Sequence, residues 1–259
     1  MNPVTSSLYD ALAPIYDEWQ AWKGMTPFAR VAAAKLEPLL RREARRVKNE
    51  LAPFTHLDLG CGTATMLATL HAAQPGWRLA GMDGSAGMLA AARAKPETRG
   101  IALVRDTLVA PLPFARAFDS CSILYDTINH LTEPEAVARL FGFVAPVLKP
   151  GGLLIFDVTN RVGFERWWAG RARFGGEGWA MSIEADFDPD TDVAIADVSI
   201  TRAGCDGLFQ LRERYYPEDA LRTLITSAGF KAERVRRWAP FPRREAGKTL
   251  WMARLPAST

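Results

Sequence analysis

The run Leu57-Asp58-Leu59-Gly60-Cys61-Gly62-Thr63-Ala64 holds the residues best placed to do chemistry. An apolar segment leads straight into a glycine turn, and the turn opens a helix. Glycine lets the backbone come close to a ligand where a side chain would block it. The helix start offers unpaired N–H groups to a carboxylate or phosphate. Asp83 ends the next apolar segment, roughly 20 residues further on, where a carboxylate can accept both hydroxyls of a ribose. Asp106 and Thr107 end a third segment and could read the edge of a base. A fourth runs into LYDTINHL, which carries Tyr125, Asp126, Asn129 and His130. These are groups that can orient a nucleophile or remove its proton. The third glycine of the dinucleotide-binding pattern is absent, since position 65 is Thr.

Positioning these groups requires a parallel sheet. Strands are expected at 55–60, 77–83, 101–105, 118–125 and 152–158, with helices at about 64–73, 85–95 and 133–148. Thr132 with Glu135 could form a capping box before the last helix. Alternating strand and helix gives an α/β fold with helices on both faces. The strands are rich in Leu, Val and Ile, as doubly covered strands are. Open parallel sheets bind ligands at the carboxyl ends of their strands, where the glycine turn falls.

With LDLGCGTA, the acidic Asp83 in MDGSAGML, Asp106, the pair Phe118-Asp119 and LKPGGLLIFD, the chain resembles the class I S-adenosylmethionine-dependent methyltransferases over about 52–160. It resembles them more loosely at the C-terminal SAGF. The resemblance implies a seven-stranded Rossmann-like sheet whose last strand is antiparallel. It implies S-adenosylmethionine as cofactor, facing Asp58, Gly60, Cys61 and Gly62, with Asp83 on the ribose. Gly84 and Met88 would flank the adenine, Asp106 and Thr107 would read its edge, and Leu124 and Tyr125 would lie beside the sulfonium. The segment YDALAPIYD resembles one in small-molecule members, where tyrosines cover the cofactor. Tyr9 and Tyr16 are seven apart and would share a helix face. The plainer reading has them pack that helix on the core. Cys61 reads as a small turn residue, and His56 and His71 as structural.

A methyl acceptor must be brought in line behind the methyl group with water excluded. A hydroxyl needs its proton removed, whereas a neutral amine does not. His130 is the candidate general base, and Tyr125 the candidate group that orients the acceptor; a structural role for His130 stays open. Asp126, Asn129, Trp168 and Arg214 are candidate acceptor contacts. A lone arginine on a strand is more often a surface charge.

Three regions are expected: an N-terminal helical cap at 1–50, the methyltransferase domain at 51–160 with 217–259, and an antiparallel insertion at 161–216. Helices at 6–50 follow from Leu8, Leu12, Ile15, Tyr16 and Trp19 at helical spacing, with Thr26-Pro27 opening a second helix. The insertion reads as about three strands from WAMSIEADF, DVAIADVSIT and LFQLRERYY. It would cap the acceptor pocket or form a homodimer interface, with Trp167, Trp168, Trp179, Phe187, Arg212, Arg214 and Tyr215 as lining. PEDALRTLITSAGF reads as an amphipathic helix closed by Gly229, and KAERVRRWAP with KTLWMARL as a last antiparallel pair.

The 259 residues suffice for a sizeable core, with 48% hydrophobic and 24% charged residues. Apolar runs are too short to span a membrane, and no secretory leader is recognisable. Three scattered cysteines suit a reducing compartment, and three histidines argue against a metal site. A cytoplasmic location follows. A net charge of +3 is weak support for nucleic acid. The cations at Arg41, Arg42, Arg45, Arg46 and Lys48 suit a helix C-terminus. No Asn- or Asp-Pro-Pro-aromatic motif follows the fourth strand, which disfavours base methylation. The resemblance thus implies methylation of a small molecule at N or O. Methylation of RNA or protein is the alternative, followed by a non-catalytic cofactor-binding subunit.

Overall fold

A computed structural model describes residues 3–24, 26–47, 52–235 and 247–257. The chain opens with helices α1 (Pro3–Leu12), α2 (Tyr16–Gln20) and α3 (Phe28–Arg46). Strand and helix then alternate: β1 (Thr55–Leu59), α4 (Thr65–Ala73), β2 (Arg78–Asp83), α5 (Ala86–Ala94), β3 (Ala102–Arg105), β4 (Phe118–Ile123), α6 (Pro134–Val144) and β5 (Leu148–Thr159). A short helix α7 (Arg161–Trp167) leads to four strands, β6 (Gly170–Gly176), β7 (Trp179–Asp188), β8 (Val193–Arg202) and β9 (Cys205–Arg214). Helix α8 (Glu218–Ser227) and strands β10 (Lys231–Val235) and β11 (Lys248–Arg254) follow.

The first sheet has the order β10-β11-β5-β4-β1-β2-β3. Pairs from β3 across to β5 are parallel, and β11 is antiparallel to both its neighbours. This is the seven-stranded Rossmann-like arrangement that the sequence led us to expect. Successive residues of a strand point to opposite faces. On β5, Leu154 and Phe156 therefore join one core with α6 and α8, while Leu153 and Ile155 join the other with α3, α4 and α5. The strand order reverses between β1 and β4, so their carboxyl ends flank the crevice where such sheets take ligands.

Four strands, β6 to β9, form a separate antiparallel sheet, against the expected three. The missed strand is GRARFGG, a mostly exposed edge with three glycines and no apolar alternation to reveal it. A third core joins Leu8, Leu12 and Ile15 to Met181, Ala185, Ala196, Val198 and Ile200. It seats the N-terminal helices on this sheet.

Several boundaries move for local reasons. Pro14 stands in a turn between α1 and α2, so Tyr9 and Tyr16 lie on two helices, not on one face. Helix α3 takes Pro27 rather than Thr26 as its N-cap. Helix α6 takes Glu133, with Pro134 at its first turn, and the Thr132–Glu135 capping box does not form. Gly229 follows α8 in the left-handed conformation, as expected. Arg46 of the basic run binds Glu43 and the Gly151 carbonyl, at 2.6 and 2.8 Å, fixing α3 to the start of β5. Lys48 and the segment 236–240 lie outside the described residues. No described helix is long and apolar enough to cross a membrane.

Candidate functional site

The glycine turn follows β1 as expected. Gly60 (φ +76°) and Gly62 (φ +54°) are left-handed. A Cβ on Gly60 would meet Thr127 Oγ1 at 2.8 Å, so this position has room only for glycine. The Gly60 and Cys61 N–H groups donate to the Met82 carbonyl, at 2.8 and 3.0 Å. Asp83 holds the turn from the end of β2. Its Oδ2 accepts from Gly62 N and its Oδ1 from Ser85 N, both at 2.8 Å. Ser85 in turn caps α5 by accepting from Met88 N.

These residues wall a cleft with about 990 Å³ of space between atoms, its open mouth included. That is the size range of small-molecule sites. Asp58, Gly60, Cys61, Gly62, Asp83, Gly84, Met88 and Asp106 all line it, as do Tyr9 and Tyr16. Thr107 and Leu124 stand outside this lining. The Thr107 N–H donates to Asp106 Oδ1, and the Leu124 carbonyl accepts from Thr127 Oγ1. Four carboxylates line the cleft (Asp17, Asp58, Asp83 and Asp106), and no Lys or Arg does among the described residues. Such a wall suits a cationic ligand and disfavours a pyrophosphate.

Burial pushes Asp83 up and raises Asp58 to about 7, although Ser122 donates to Asp58 at 2.6 Å. His56 bridges Ser120 and Ser122 at 2.8 and 3.1 Å, and burial lowers it to about 3. It is a neutral structural link between β1 and β4. Cys61 packs its Sγ over Gly81, and burial pushes its thiol well up, so it is no nucleophile at neutral pH.

Two aspartates clasp the N-terminal helices onto the cleft. Asp10 accepts from Ser85 Oγ and Gly87 N, at 2.5 and 2.8 Å, at the start of α5. Asp17 accepts from Thr63 and Thr65 Oγ1, at 2.7 and 3.0 Å, and pairs with Lys95. Neither aspartate was singled out from the sequence, because their partners lie far along the chain.

The loop after β4 is strained. Tyr125 and Asp126 both have φ of +63°, rare for residues with side chains. A buried clamp holds it there. Asp126 N donates to Asp157 Oδ1 at 3.0 Å, Thr159 Oγ1 donates to Asp126 Oδ1 at 2.8 Å, and Lys248 pairs with Asp126. Burial lowers the Lys248 ammonium to about 7, while the flanking carboxylates favour its charged form. Asn129 is wholly buried. Its Nδ2 donates to the Thr159 and Arg214 carbonyls and its Oδ1 accepts from Thr159 N. It ties β5 to β9 and does not line the cavities, contrary to its expected place as an acceptor contact.

A second cavity adjoins the cleft, with Tyr9, Tyr16, Gln20, Tyr125 and His130 common to both. Its far wall is apolar: Met181, Ile183, Ala196, Val198 and Leu211 of the antiparallel sheet, with Trp167 and Trp168. Its polar groups gather at the shared end. The Tyr125 hydroxyl is buried there without a hydrogen-bond partner among the described residues. Tyr9 Oη and His130 Nε2 are 2.7 Å apart. His130 Nδ1 lies 3.0 Å from Glu213 Oε1, an ion-pair distance without hydrogen-bond alignment.

Strand alternation corrects the expected lining. On β9, Leu211 and Glu213 face the cavity, so Arg212 and Arg214 face away. Arg214 joins a separate groove with Asp192 and Tyr215. Phe187 packs on Phe164, and Trp179 also lies outside the cavity lining. Glu213 went unnoticed in the sequence. Its signal was a charge at an inward position of LFQLRERYY.

Residues 57–152 match the family model of a methyltransferase domain. A Geobacillus sp. (strain WCH70) protein named as a methyltransferase is 33% identical over 156 residues, which cover 59% of this chain and 55% of that protein. The chain thus spans about half the length of this curated relative. A solved S-adenosylmethionine-dependent methyltransferase from Clostridium acetobutylicum ATCC 824 superposes with a TM-score of 0.72 at 20% identity, over 96% of this chain and 100% of that one. The sugar N-methyltransferase KedS8 from Streptoalloteichus sp ATCC 53650 superposes with a TM-score of 0.68 at 22% identity, over 94% and 93%. The chain thus matches a methyltransferase domain over residues 57–152, and its seven-stranded fold is the one these solved methyltransferases have.

Proposed function

We propose that the protein transfers a methyl group from S-adenosylmethionine to an N or O atom of a small molecule. The observation that carries this reading is the pair of adjoining cavities, one walled by carboxylates and one apolar, meeting at Tyr9, Tyr125 and His130. The cleft fits the cofactor. Its carboxylates and lack of cations suit a sulfonium and an ammonium, and the Asp83 oxygens can each accept a ribose hydroxyl beside the backbone N–H they already bind. When bound, the cofactor supplies an electrophilic methyl group.

The chain's own residues do the rest. The second cavity takes the acceptor's apolar part against Trp167, Trp168 and the antiparallel sheet, which serves as its cap. Tyr125 offers its buried hydroxyl to the acceptor's nucleophilic atom. His130 is the general base. Helices α1 and α2 cover both cavities and keep water out. That cover also disfavours RNA or a protein as acceptor, and the sugar acceptor in KedS8's name agrees with a small one.

The test is to incubate purified protein with methyl-labelled S-adenosylmethionine and a fractionated cell extract. Label is expected in the small-metabolite fraction, and is expected to vanish with Asp83→Ala. Label in RNA or protein instead would overturn the small-molecule reading.

A further inference from the structure

Glu213 is the one described carboxylate of the second cavity that reaches His130. It is almost wholly buried on β9, and its Oε2 has no hydrogen-bond partner among the described residues. A carboxylate taken out of water and left half-satisfied is costly unless it has a task. Tyr9 sits on the other side of the same imidazole, with its hydroxyl 2.7 Å from Nε2 and its ring lining both cavities. With a proton on Nδ1, facing Glu213, Nε2 is free to accept from the Tyr9 hydroxyl.

We propose that Tyr9, His130 and Glu213 form one proton relay, in which Tyr9 touches the acceptor and Glu213 is the positioning residue behind His130. This rests on the methyl-transfer reading and deepens it. The acceptor's nucleophilic atom forms its bond to the methyl carbon while the carbon–sulfur bond breaks and its electron pair stays on sulfur. The acceptor's proton passes to the Tyr9 oxygen as the Tyr9 proton passes to His130 Nε2. The imidazolium so formed faces the Glu213 carboxylate. Burial and neighbouring negative charge push the Tyr9 hydroxyl well up, so a free tyrosinate is not an intermediate and the two transfers are concerted. The Nδ1–Oε1 contact is at ion-pair distance, though not aligned as a hydrogen bond. The class of acceptor follows. Its nucleophilic atom arrives carrying a proton that must leave, as in a hydroxyl or an ammonium, and its remaining body is apolar.

Two measurements on the full chain test the relay. Nitrogen-15 NMR of the histidines, with no ligand added, reads which ring nitrogen of His130 holds the proton. We expect Nδ1 in the wild type, a loss of that preference in Glu213→Gln, and a changed Nε2 signal in Tyr9→Phe. A proton on Nε2 in the wild type, or spectra indifferent to Glu213→Gln, overturns the relay. The second measurement is the initial rate of label transfer into the small-metabolite fraction from pH 6 to 10. Glu213→Gln is expected to lower it about tenfold or more at pH 7, with S-adenosylhomocysteine affinity unchanged and the deficit shrinking as pH rises. A deficit equal at every pH means a structural role and refutes the proposal. Tyr9→Phe removes one hydroxyl and serves if Glu213→Gln does not fold. Absence of any labelled metabolite would sink the functional reading, while the NMR result still judges the relay.

Discussion

Replacing Asp83 by Asn tests the turn and the cofactor site together. The substitution keeps the shape of the side chain but turns one acceptor oxygen into a donor. Both oxygens now accept a backbone N–H at 2.8 Å, one from Gly62 and one from Ser85. In the variant one of these N–H groups faces an amide NH2. A buried donor left unmet costs about 1–3 kcal/mol. In a chain of this size each kcal/mol moves Tm by about 2–4 °C, so Tm should fall by about 2–12 °C. The cofactor loses a charged acceptor for its hydroxyls, worth about 1.5–3 kcal/mol, or about 10- to 150-fold in Kd. Calorimetric titration with S-adenosylhomocysteine reads the affinity, and thermal unfolding reads the stability. A folded Asp83→Asn protein that binds within about twofold of wild type would refute the assignment of Asp83 to the ribose.

Other outcomes follow from single contacts. Tyr125→Phe removes a buried hydroxyl that has no partner among the described residues, so Tm should hold or rise slightly, while the rate of label transfer falls about tenfold. Gly60→Ala puts a Cβ 2.8 Å from Thr127 Oγ1 at a φ of +76° and should cost about 1–3 kcal/mol, seen as a lower Tm; adding Thr127→Ala should restore part of it. His56, held down to about 3 against an ordinary 6.5, makes the folded chain bind fewer protons than the unfolded chain between those values. Stability should therefore fall as pH drops from about 6.5 to 3, by up to about 5 kcal/mol. Urea midpoints across that range should show the slope, and His56→Gln should flatten it.

What the sequence revealed was local. LDLGCGTA writes strand, turn and helix in consecutive residues, and Asp83 is placed by the end of the next apolar run. Those signals need no knowledge of what packs on what. Pro14 was equally local, yet the even spacing of Tyr9 and Tyr16 masked the helix break it causes. Glu213, Lys248 and Asp17 could not be placed in this way. Each matters through a partner 30 or more residues away, which strand pairing and helix docking bring close. Glu213 could have been suspected from alternation along β9, whereas nothing near Lys248 hints that it faces Asp126. The strain at Tyr125 and Asp126 was hidden for the same reason, because the clamp that sustains it comes from β5 and β11.

The charge of the cleft wall also bears on turnover. Lys95 answers Asp17 and burial raises Asp58 to about 7, which leaves Asp83 and Asp106 as the carboxylates that act on whatever is bound. In the proposed reaction the wall meets a sulfonium before transfer and a neutral thioether after it. Its attraction is therefore strongest for the fresh cofactor and weakest for the spent one, with no movement of the chain required. Added salt narrows that difference by screening it, so inhibition by the spent cofactor should grow relative to binding of the fresh one as ionic strength rises.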